Sequence, residues 1–361
     1  MKKILALGAG NKTNFSVMNG NVLFTSDIVE NLADMENLKR FETETRKYLE
    51  NDGLAPEYIV CDMHPDYRSS LLAEKIHKES SGSTLLKVQH HFAHIASCML
   101  EHSLEEEVLG VSFDGTGYGP DGNSWGGEFL ICTRKDFSRP YHLKYMKQPG
   151  GDIAAREGWR MAIAYLVDAF GPDIGATEFP LVGRIGRKKI DLVSQMIEKD
   201  VNCPLTSSMG RLFDAVASLA GICDVSGFEA EGAILLEKKV AKDVPGCYGY
   251  EIEGAEVVIT KMIKGITGDV LAQVGADIIS AKFHNTIGEI VFDIAGRVKK
   301  ENGIDKVLIS GGCFQNKYLV EYIEKRFSGS DLDLYKHKKY SPTDLGVSIG
   351  QVAVAASLLQ L

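Results

Sequence analysis

The sequence predicts an α/β fold that is built twice, as two lobes that face each other across a cleft. Two stretches of the chain each open with a strand, a glycine turn and a second strand, followed by mixed strands and helices. With 361 residues, 44% of them hydrophobic, the chain is long enough for two packed cores. We expect a first lobe at residues 1–105, completed by the C-terminal helix at about 343–361, and a second lobe at 106–342 with a helical insertion at about 150–300.

The first lobe is predicted to open with a β-hairpin of two strands, "KILALGAG" and "NFSVMNGNVLF". The tip of this hairpin is formed by Gly8, Ala9, Gly10, Asn11 and Lys12. A helix at "ENLKRFETETRKYLEND" precedes a buried strand at "YIVCDMHPDY". A helix at "SSLLAEKIHKES", a short strand at "LLKVQ" and a histidine-rich helix at "HHFAHIASCMLEH" complete the lobe.

The second lobe is predicted to repeat this opening. Strands at "VLGVSFDGTGYGPDG" and "WGGEFLICT" form a second hairpin with a glycine-rich tip. After the helical insertion, "KVLISGGCFQNKYLVEYIEKRF" predicts a strand, a glycine turn and a helix. The chain then closes with a helix at "DLGVSIGQVAVAASLL".

Composition excludes several classes of protein. The formal charge of −9 and a pI near 5.6 argue against a nucleic-acid partner, which would require a basic face. Seven scattered cysteines without a CxxC pair favour a reducing, cytoplasmic setting over a disulfide framework. The apolar run before Gly8 is too short for a signal peptide, and no stretch is long enough to cross a membrane, so we expect no membrane partner.

Two histidines of the predicted helix are the first candidate ligands. His90 and His94 lie four residues apart and therefore project from one helix face, whereas His91 points elsewhere. Such a pair can hold one metal ion, but the spacing names no third ligand. Packing or surface histidines remain the alternative at this point.

Three glycine turns suggest a ligand site: the first, at residues 8–12, and the second, which starts at Asp114, would face each other and grip the phosphates of a nucleotide, and "SGGCFQN" is the third. A carboxylate stands at a strand end and is followed by residues that expose backbone N–H groups, in the order Asp114, Gly115, Thr116 and Gly117. In "SGGCFQN", Gly311 and Gly312 permit close approach of a ligand, and Asn316 offers a donor and an acceptor. A plain tight hairpin and a plain strand-to-helix turn are the alternatives.

These features resemble the actin/Hsp70/sugar-kinase (ASKHA) superfamily and its TsaD-like branch of carbamoyl- and threonylcarbamoyltransferases. Within that branch the chain is similar to the C-terminal transferase part of the HypF-type hydrogenase maturation carbamoyltransferases. Ten blocks occur in the family's order: "LALGAGNKTNF", "CDMHPDY", "VQHHFAHIASCM", "FDGTGYGPDGNSWGGEFL", "QPGGDIAAREGWRMAIAYL", "TSSMGRLFDAVASLAGI", "FEAEGAILLE", "FHNTI", "SGGCFQN" and "DLGVSIGQ".

The resemblance implies a duplicated ASKHA fold around a nucleotide and metal cleft. It implies an iron or zinc ion held by His90, His94 and Asp344, with Asp114 as a further ligand. It also implies that ATP, AMP or carbamoyl adenylate binds beside this ion. The residues expected around the nucleotide are Lys12, Gly115, Thr116, Gly117, Ser208, Gly210, Arg211, Asp214, Gly311, Gly312 and Asn316.

Four residues are expected to take part in the chemistry, namely Asp114, His64, Arg156 and Arg160. The two arginines are spaced i, i+4 and are predicted to share one helix face, where they would grip phosphate or the carbamoyl oxygen. A surface salt bridge with Glu157 is the alternative. His64 is either catalytic or a brace for its turn, Arg211 and Asp214 line a pocket or a helix surface, and Ser208 also fits a helix cap.

The activity implied is transfer of a carbamoyl group from carbamoyl adenylate to the C-terminal cysteine thiol of a HypE-type partner, for the cyanide ligand of [NiFe]-hydrogenase. A separate YrdC-like domain or protein is expected to form the adenylate, because none of the blocks above belongs to such a domain. A small-molecule O-carbamoyltransferase and a non-catalytic nucleotide-sensing subunit remain as alternatives.

Overall fold

The computed structural model describes residues 3–10, 12–51, 53 and 55–359, so Asn11 of the predicted hairpin tip lies outside the described residues. The helices are α1 (Met35–Asn51), α2 (Arg68–Glu79), α3 (His90–Glu101), α4 (Ile153–Arg156), α5 (Gly158–Phe170), α6 (Pro180–Ile185), α7 (Arg187–Glu198), α8 (Met209–Leu219), α9 (Glu231–Lys239), α10 (Thr260–Leu271), α11 (Ala276–Asn302), α12 (Lys317–Phe327) and α13 (Val347–Leu358).

The strands are β1 (Lys3–Ala6), β2 (Ser16–Asn19), β3 (Val22–Thr25), β4 (Tyr58–Asp62), β5 (Thr84–Val88), β6 (Val108–Tyr118), β7 (Ser124–Cys132), β8 (Phe137–Leu143), β9 (Met146–Lys147), β10 (Leu205–Thr206), β11 (Glu251–Glu253), β12 (Glu256–Val258), β13 (Lys306–Ser310) and β14 (Asp333–Lys336). They form two sheets, the first in the order β3-β2-β1-β4-β5 and the second in the order β11-β12-β8-β7-β6-β13-β14, to which β10 is added by pairing with β7 and β9 by pairing with β10.

The two sheets share one plan. In the first, β1 pairs antiparallel with β2 and parallel with β4, which pairs parallel with β5. In the second, β6 pairs antiparallel with β7 and parallel with β13, which pairs parallel with β14. Each sheet thus joins a hairpin to two parallel strands, as expected of a duplicated α/β fold.

Helices α3 and α13 lie between the two sheets. A single buried apolar cluster joins both helices to side chains from the first sheet, such as Val60, and from the second, such as Leu308. The two helices are in close contact, because a Cβ atom at Gly350 of α13 would lie 1.8 Å from the carbonyl oxygen of Ala93 in α3. The histidine-rich helix is therefore enclosed on all sides.

Separate cores cover the outer faces of the sheets. Side chains of α1 and α2, such as Phe41 and Leu72, pack on the first sheet. Helices of the region predicted as an insertion, including α5, α8 and α11, pack on the second. That region runs through α4 to α11 but also contains the short strands β10, β11 and β12, which the sequence patterns did not predict.

Two predicted strands are divided or extended in the structure. "NFSVMNGNVLF" was predicted as one strand but forms β2 and β3, because Gly20 takes a positive φ of 61° and turns the chain. The stretch Asp114–Gly117 was predicted in a hairpin tip but lies within β6, whose pairing with β7 resumes at Gly117 after an irregularity. Such a bulge re-aims side chains without ending the strand.

The described residues include all seven cysteines, and these form no disulfide. Within the same part of the chain, no helix combines the length and the apolar character needed to cross a bilayer.

Candidate active site

The histidine pair is presented by the first turns of α3. The side chain of Gln89 caps this helix by accepting a hydrogen bond from the backbone N–H of Phe92 at 2.8 Å. His90 and His94 are fully buried, and their Nε2 atoms lie 3.2 Å apart. The spacing of four residues thus brings two imidazole nitrogens to one point, as the sequence predicted.

Two carboxylates from distant parts of the chain meet the imidazoles. Oδ2 of Asp114, on β6, lies 3.2 Å from Nε2 of His90 and 3.4 Å from Nε2 of His94. Oδ1 of Asp344, in a 3-10 turn just before α13, lies 3.5 and 3.7 Å from the same two nitrogens. The fold therefore brings together the four residues predicted as metal ligands.

The chemistry of this cluster fits a transition metal. One ligand atom from each of the four residues lies within 4.8 Å of the others. Ligand atoms that share a tetrahedral zinc ion at about 2.0–2.2 Å stand roughly 3.3–3.6 Å apart, which is close to the distances found here. Two imidazoles and two carboxylates suit zinc and iron alike.

A third carboxylate orients one of the imidazoles. Oδ2 of Asp62, at the end of β4, accepts a hydrogen bond from Nδ1 of His90 at 2.9 Å, and both side chains are fully buried. This arrangement directs Nε2 of His90 into the cluster, as carboxylates behind metal-bound histidines do. Asp62 was not among the predicted site residues, although it shows the same signal as Asp114, a carboxylate at the end of a buried strand.

The charges of the cluster reinforce one another. Burial alone would lower the pKa of His90 and His94, but the carboxylates of Asp344 and Asp114 outweigh burial and raise both pKa values. Burial raises the pKa of the two carboxyl groups, and their contacts with the imidazoles outweigh that effect and lower both pKa values. Two ionised carboxylates thus face two imidazoles that bind protons readily, and a metal ion can take the place of those protons.

The first glycine turn borders the cluster. A Cβ atom at Gly10 would lie 2.7 Å from Oδ2 of Asp344. The turn is attached to α13, because the backbone N–H and carbonyl of Gly8 bond the side-chain amide of Gln351 at 2.9 and 3.0 Å. Lys12, predicted at the nucleotide, is half exposed and pairs with Glu30 at 2.9 Å.

The second glycine segment packs against α8. A Cβ atom at Gly210 would lie 2.8 Å from the Cα of Gly115, so the first turn of α8 rests on β6. Ser208 caps α8 by accepting from the N–H of Arg211, and its hydroxyl donates to the carbonyl of Gly115 at 2.6 Å. Asp214 is buried, which raises its pKa, and it pairs with Arg211 at 2.8 Å.

Gly117 and Thr116, also predicted at the nucleotide, contact other neighbours. Gly117 packs against the ring of His91, from which a Cβ atom would be only 2.4 Å away. The exposed Thr116 bonds the hydroxyl of Ser124 at 3.0 Å.

The third glycine turn contacts the cluster directly. The backbone N–H of Gly312 donates to Oδ1 of Asp114 at 3.2 Å. Gly311 has a φ of 103°, and a Cβ atom there would lie 2.3 Å from the carbonyl oxygen of Phe113, so only glycine fits. Asn316, predicted at the nucleotide, caps α12 through its Oδ1, which accepts from the N–H of Leu319, and its amide donates to His284 at 2.8 Å.

The remaining predicted residues, His64, Arg156 and Arg160, make their side-chain contacts with residues other than the four candidate ligands. His64 accepts from the N–H of Asp66 at 3.1 Å and stacks on the ring of Tyr67, which braces its turn. Arg156 and Arg160 do not share a helix face, because Glu157 interrupts the helix with ψ at 74° and separates α4 from α5. Arg156 is exposed, and Arg160 pairs with Glu157 at 2.5 Å.

Family models match both parts of the chain. The model described as "Carbamoyltransferase, Kae1-like Domain, second subdomain" matches residues 110–351, and the "HypF Kae1-like domain" matches residues 1–101. The carbamoyltransferase HypF of Synechocystis sp. is 31% identical over 97% of this chain and 47% of its own length. The HypF homolog of Cupriavidus necator is 32% identical over 98% of this chain and 91% of its own length.

Two solved structures have the same fold. A full-length HypF in a phosphate- and nucleotide-bound form is 35% identical with a TM-score of 0.92, covering 100% of this chain and 56% of that one. The HypF of T. kodakarensis is 26% identical with a TM-score of 0.89, covering 99% and 48%. The predicted ASKHA-type fold is thereby confirmed. The chain spans about half the length of most of the relatives that it matches.

Proposed function

Because this chain belongs to the HypF family of carbamoyltransferases, we propose that it transfers a carbamoyl group from carbamoyl adenylate to a protein thiol. The acceptor is the C-terminal cysteine of a HypE-type partner in the assembly of the cyanide ligand of [NiFe]-hydrogenase. The observation that carries this proposal is the buried cluster of two imidazoles and two carboxylates beside the turn at Gly312.

The transfer is a substitution at the carbamoyl carbon. The thiolate sulfur forms a bond to this carbon, and the bond from the carbon to the phosphate oxygen of AMP breaks. AMP leaves with the electron pair, and the proton of the thiol passes to solvent. A zinc or iron ion held by His90, His94, Asp114 and Asp344 would supply Lewis-acid polarisation of the carbamoyl oxygen.

The glycine segments around Asp114 support binding of the adenylate. Gly10, Gly115 and Gly312 carry no side chains into the space that adjoins the two ligand carboxylates. Arg211 approaches this surface, since its Nη2 lies 4.0 Å from the Cβ position of Gly115, and it can neutralise phosphate. A full-length HypF relative in a phosphate- and nucleotide-bound form supports nucleotide binding as such.

The two lobes are proposed to divide as the sequence suggested, at residues 1–105 with the C-terminal helix and at 106–342. The contact between α13 and α3 supports this division, because α13 also packs against β1 and β4. The unpaired cysteines fit a cytoplasmic enzyme.

Carbamoyl transfer can be tested with purified components. A separate YrdC-like protein makes carbamoyl adenylate in the presence of the chain and a HypE-type acceptor. We expect AMP release, and an acceptor heavier by one carbamoyl group at its C-terminal cysteine. His94→Ala should abolish both. An acceptor that stays unmodified by the wild-type chain, with the donor demonstrably present, would contradict the proposal.

The nucleotide site can be tested separately by calorimetry with AMP. Arg211→Gln should weaken binding roughly tenfold or more, because a charged hydrogen bond is worth about 1.5–3 kcal/mol. Arg184→Gln is the matched control, since Arg184 also pairs with a nearby aspartate, Asp224, at 2.9 Å. Equal affinity for AMP in the wild type and in both variants would show that Arg211 does not contact the nucleotide.

A further inference from the structure

Asp344 differs from the other three candidate ligands in what supports it. His90 and His94 are on a helix and Asp114 is on a strand, whereas Asp344 follows an irregular segment that connects β14 to the last helix. We name residues 337–343 the strap. Because regular structure does not fix this segment, its position depends on individual side-chain contacts.

The main contact of the strap is with Glu101, the last residue of α3. Oε1 of Glu101 accepts the backbone N–H groups of Lys338 at 2.7 Å and Lys339 at 2.8 Å. Oε2 accepts the N–H of Tyr340 at 3.1 Å and faces Nδ1 of His337 at 3.3 Å. Three successive backbone N–H groups around one carboxylate form an anion-binding nest.

Glu101 is a buried carboxylate that stays ionised at the end of a helix. Its side chain is 7% exposed, and that of His337 is 3% exposed. Burial raises the pKa of the Glu101 carboxyl, but the three N–H groups outweigh it and lower the pKa, so the buried group stays ionised. A negative charge at the C-terminus of a helix is unfavourable for that helix. Stability of α3 alone therefore does not explain a glutamate here, whereas the strap does.

Both ends of the strap are tied to the strand and turn that carry the third glycine segment, Ser310 and Gly311. Nε2 of His337 bonds the hydroxyl of Ser310 at 2.9 Å, and the N–H of Gly311 donates to the carbonyl of Pro342 at 2.9 Å. The strap thus runs between the end of α3 and the turn beside Asp114, and delivers Asp344 at its end.

We propose that Glu101 is a positioning residue for the metal cluster: through the strap, it holds Asp344 opposite the two histidines that the same helix carries. Helix α3 then sets three of the four ligands, two directly and one through the carboxylate of Glu101. This inference rests on the metal site of the proposed function.

The test is a double-mutant cycle on Zn²⁺ affinity, measured by competition with a chromophoric chelator. Glu101→Gln should weaken Zn²⁺ binding about tenfold, as loss of a partner behind a ligand does. In the Asp344→Asn background, Glu101→Gln should have no further effect, because the ligand through which Glu101 acts is absent. Glu79→Gln is the matched control, since Glu79 is also the last residue of a helix, α2, and pairs elsewhere with Arg46.

Each result decides the inference. Equal weakening by Glu101→Gln in both backgrounds, or no weakening at all, would overturn it. If Glu101→Gln does not fold, Glu101→Asp keeps the charge on a shorter side chain and should give a smaller loss of affinity that is again absent with Asp344→Asn. Failure of the wild-type chain to bind Zn²⁺ would instead overturn the metal site itself. The melting temperature of the metal-free proteins separates a general loss of stability from this effect.

Discussion

His90 on α3 and His284 on α11 are both fully buried, and their two imidazoles are in opposite electrostatic surroundings. His90 on α3 lies against the carboxylates of Asp62 and Asp114, and its pKa is raised. His284 on α11 donates from Nδ1 to the carbonyl of Ser280 at 2.7 Å and accepts at Nε2 from Asn316 at 2.8 Å. Burial lowers the pKa of His284 to about 4.

The comparison shows that burial on a helix does not distinguish a ligand from a structural histidine. Both nitrogens of His284 are occupied by neutral partners, so neither is available to a metal ion. Nε2 of His90 instead faces three potential ligands, and its Nδ1 is held by a carboxylate. The partners supplied by distant segments decide the role of each imidazole.

The largest expected difference is in metal content. His90→Ala should remove the bound ion, because it deletes a ligand that two carboxylates and His94 alone cannot replace. His284→Ala should keep the ion and instead lose about 1–3 kcal/mol of stability, since it leaves the Asn316 amide unpaired in the core. Elemental analysis and urea unfolding of the metal-replete proteins measure both. Metal lost in the second variant but not in the first would reverse the comparison.

The next effect is on the pH dependence of stability. His284 has a folded-state pKa of about 4, below the value of 6.5 expected when unfolded, so the unfolded chain binds the proton more readily. The stability contributed by the neutral imidazole is complete above pH 6.5 and is lost as the pH falls towards 4, by about 3 kcal/mol in total. Urea unfolding between pH 7 and 4 should show a shallower loss in His284→Gln. Parallel curves would contradict the assignment.

A smaller effect is expected from the carboxylate behind His90. Asp62→Asn keeps the shape but removes the charge that orients the imidazole, so Zn²⁺ affinity should fall about 10–100-fold. Asp66→Asn is the control, because Asp66 is exposed on the loop that follows β4. Chelator competition gives the affinities, and equal values for Asp62→Asn and wild type would mean that the orientation of His90 does not depend on this bond.

The smallest effect is expected from a substitution that makes the surroundings of His284 resemble those of His90. Asn316→Asp keeps the cap on α12 and places a carboxylate at the nitrogen of His284, which should raise the pKa of that imidazole from about 4 towards its ordinary value. Stability at pH 7 should fall by about 1 kcal/mol, because the carboxylate replaces the amide that donates to Nε2 of the neutral imidazole. NMR titration of the histidine ring follows the pKa directly, and an unchanged value would show that the neighbour is not decisive.

The fold could be predicted because its signals are local. Strand–turn–strand openings at "LALGAG" and "FDGTGYG" and the helical spacing of His90 and His94 depend on residues close together in the sequence. The short strands β10 to β12 could not be predicted, since each has only two or three residues, and β10 and β12 form by pairing with strands that are distant in sequence. The break at Glu157, which separates Arg156 from Arg160, could not be predicted either.

By itself, the sequence determined the helix that presents two imidazoles on one face, the glycine turns around Asp114 and the family to which the chain belongs. Tertiary structure decided which side chains meet these imidazoles. Packing of α3 and α13 between the two sheets brings Asp344 to His90, Asp62 behind it and Glu101 onto the strap. In the same way, packing of α11 against α12 places the side-chain amide of Asn316 beside the imidazole of His284. Contacts between residues far apart in sequence depend on the whole fold, and no local pattern encodes them.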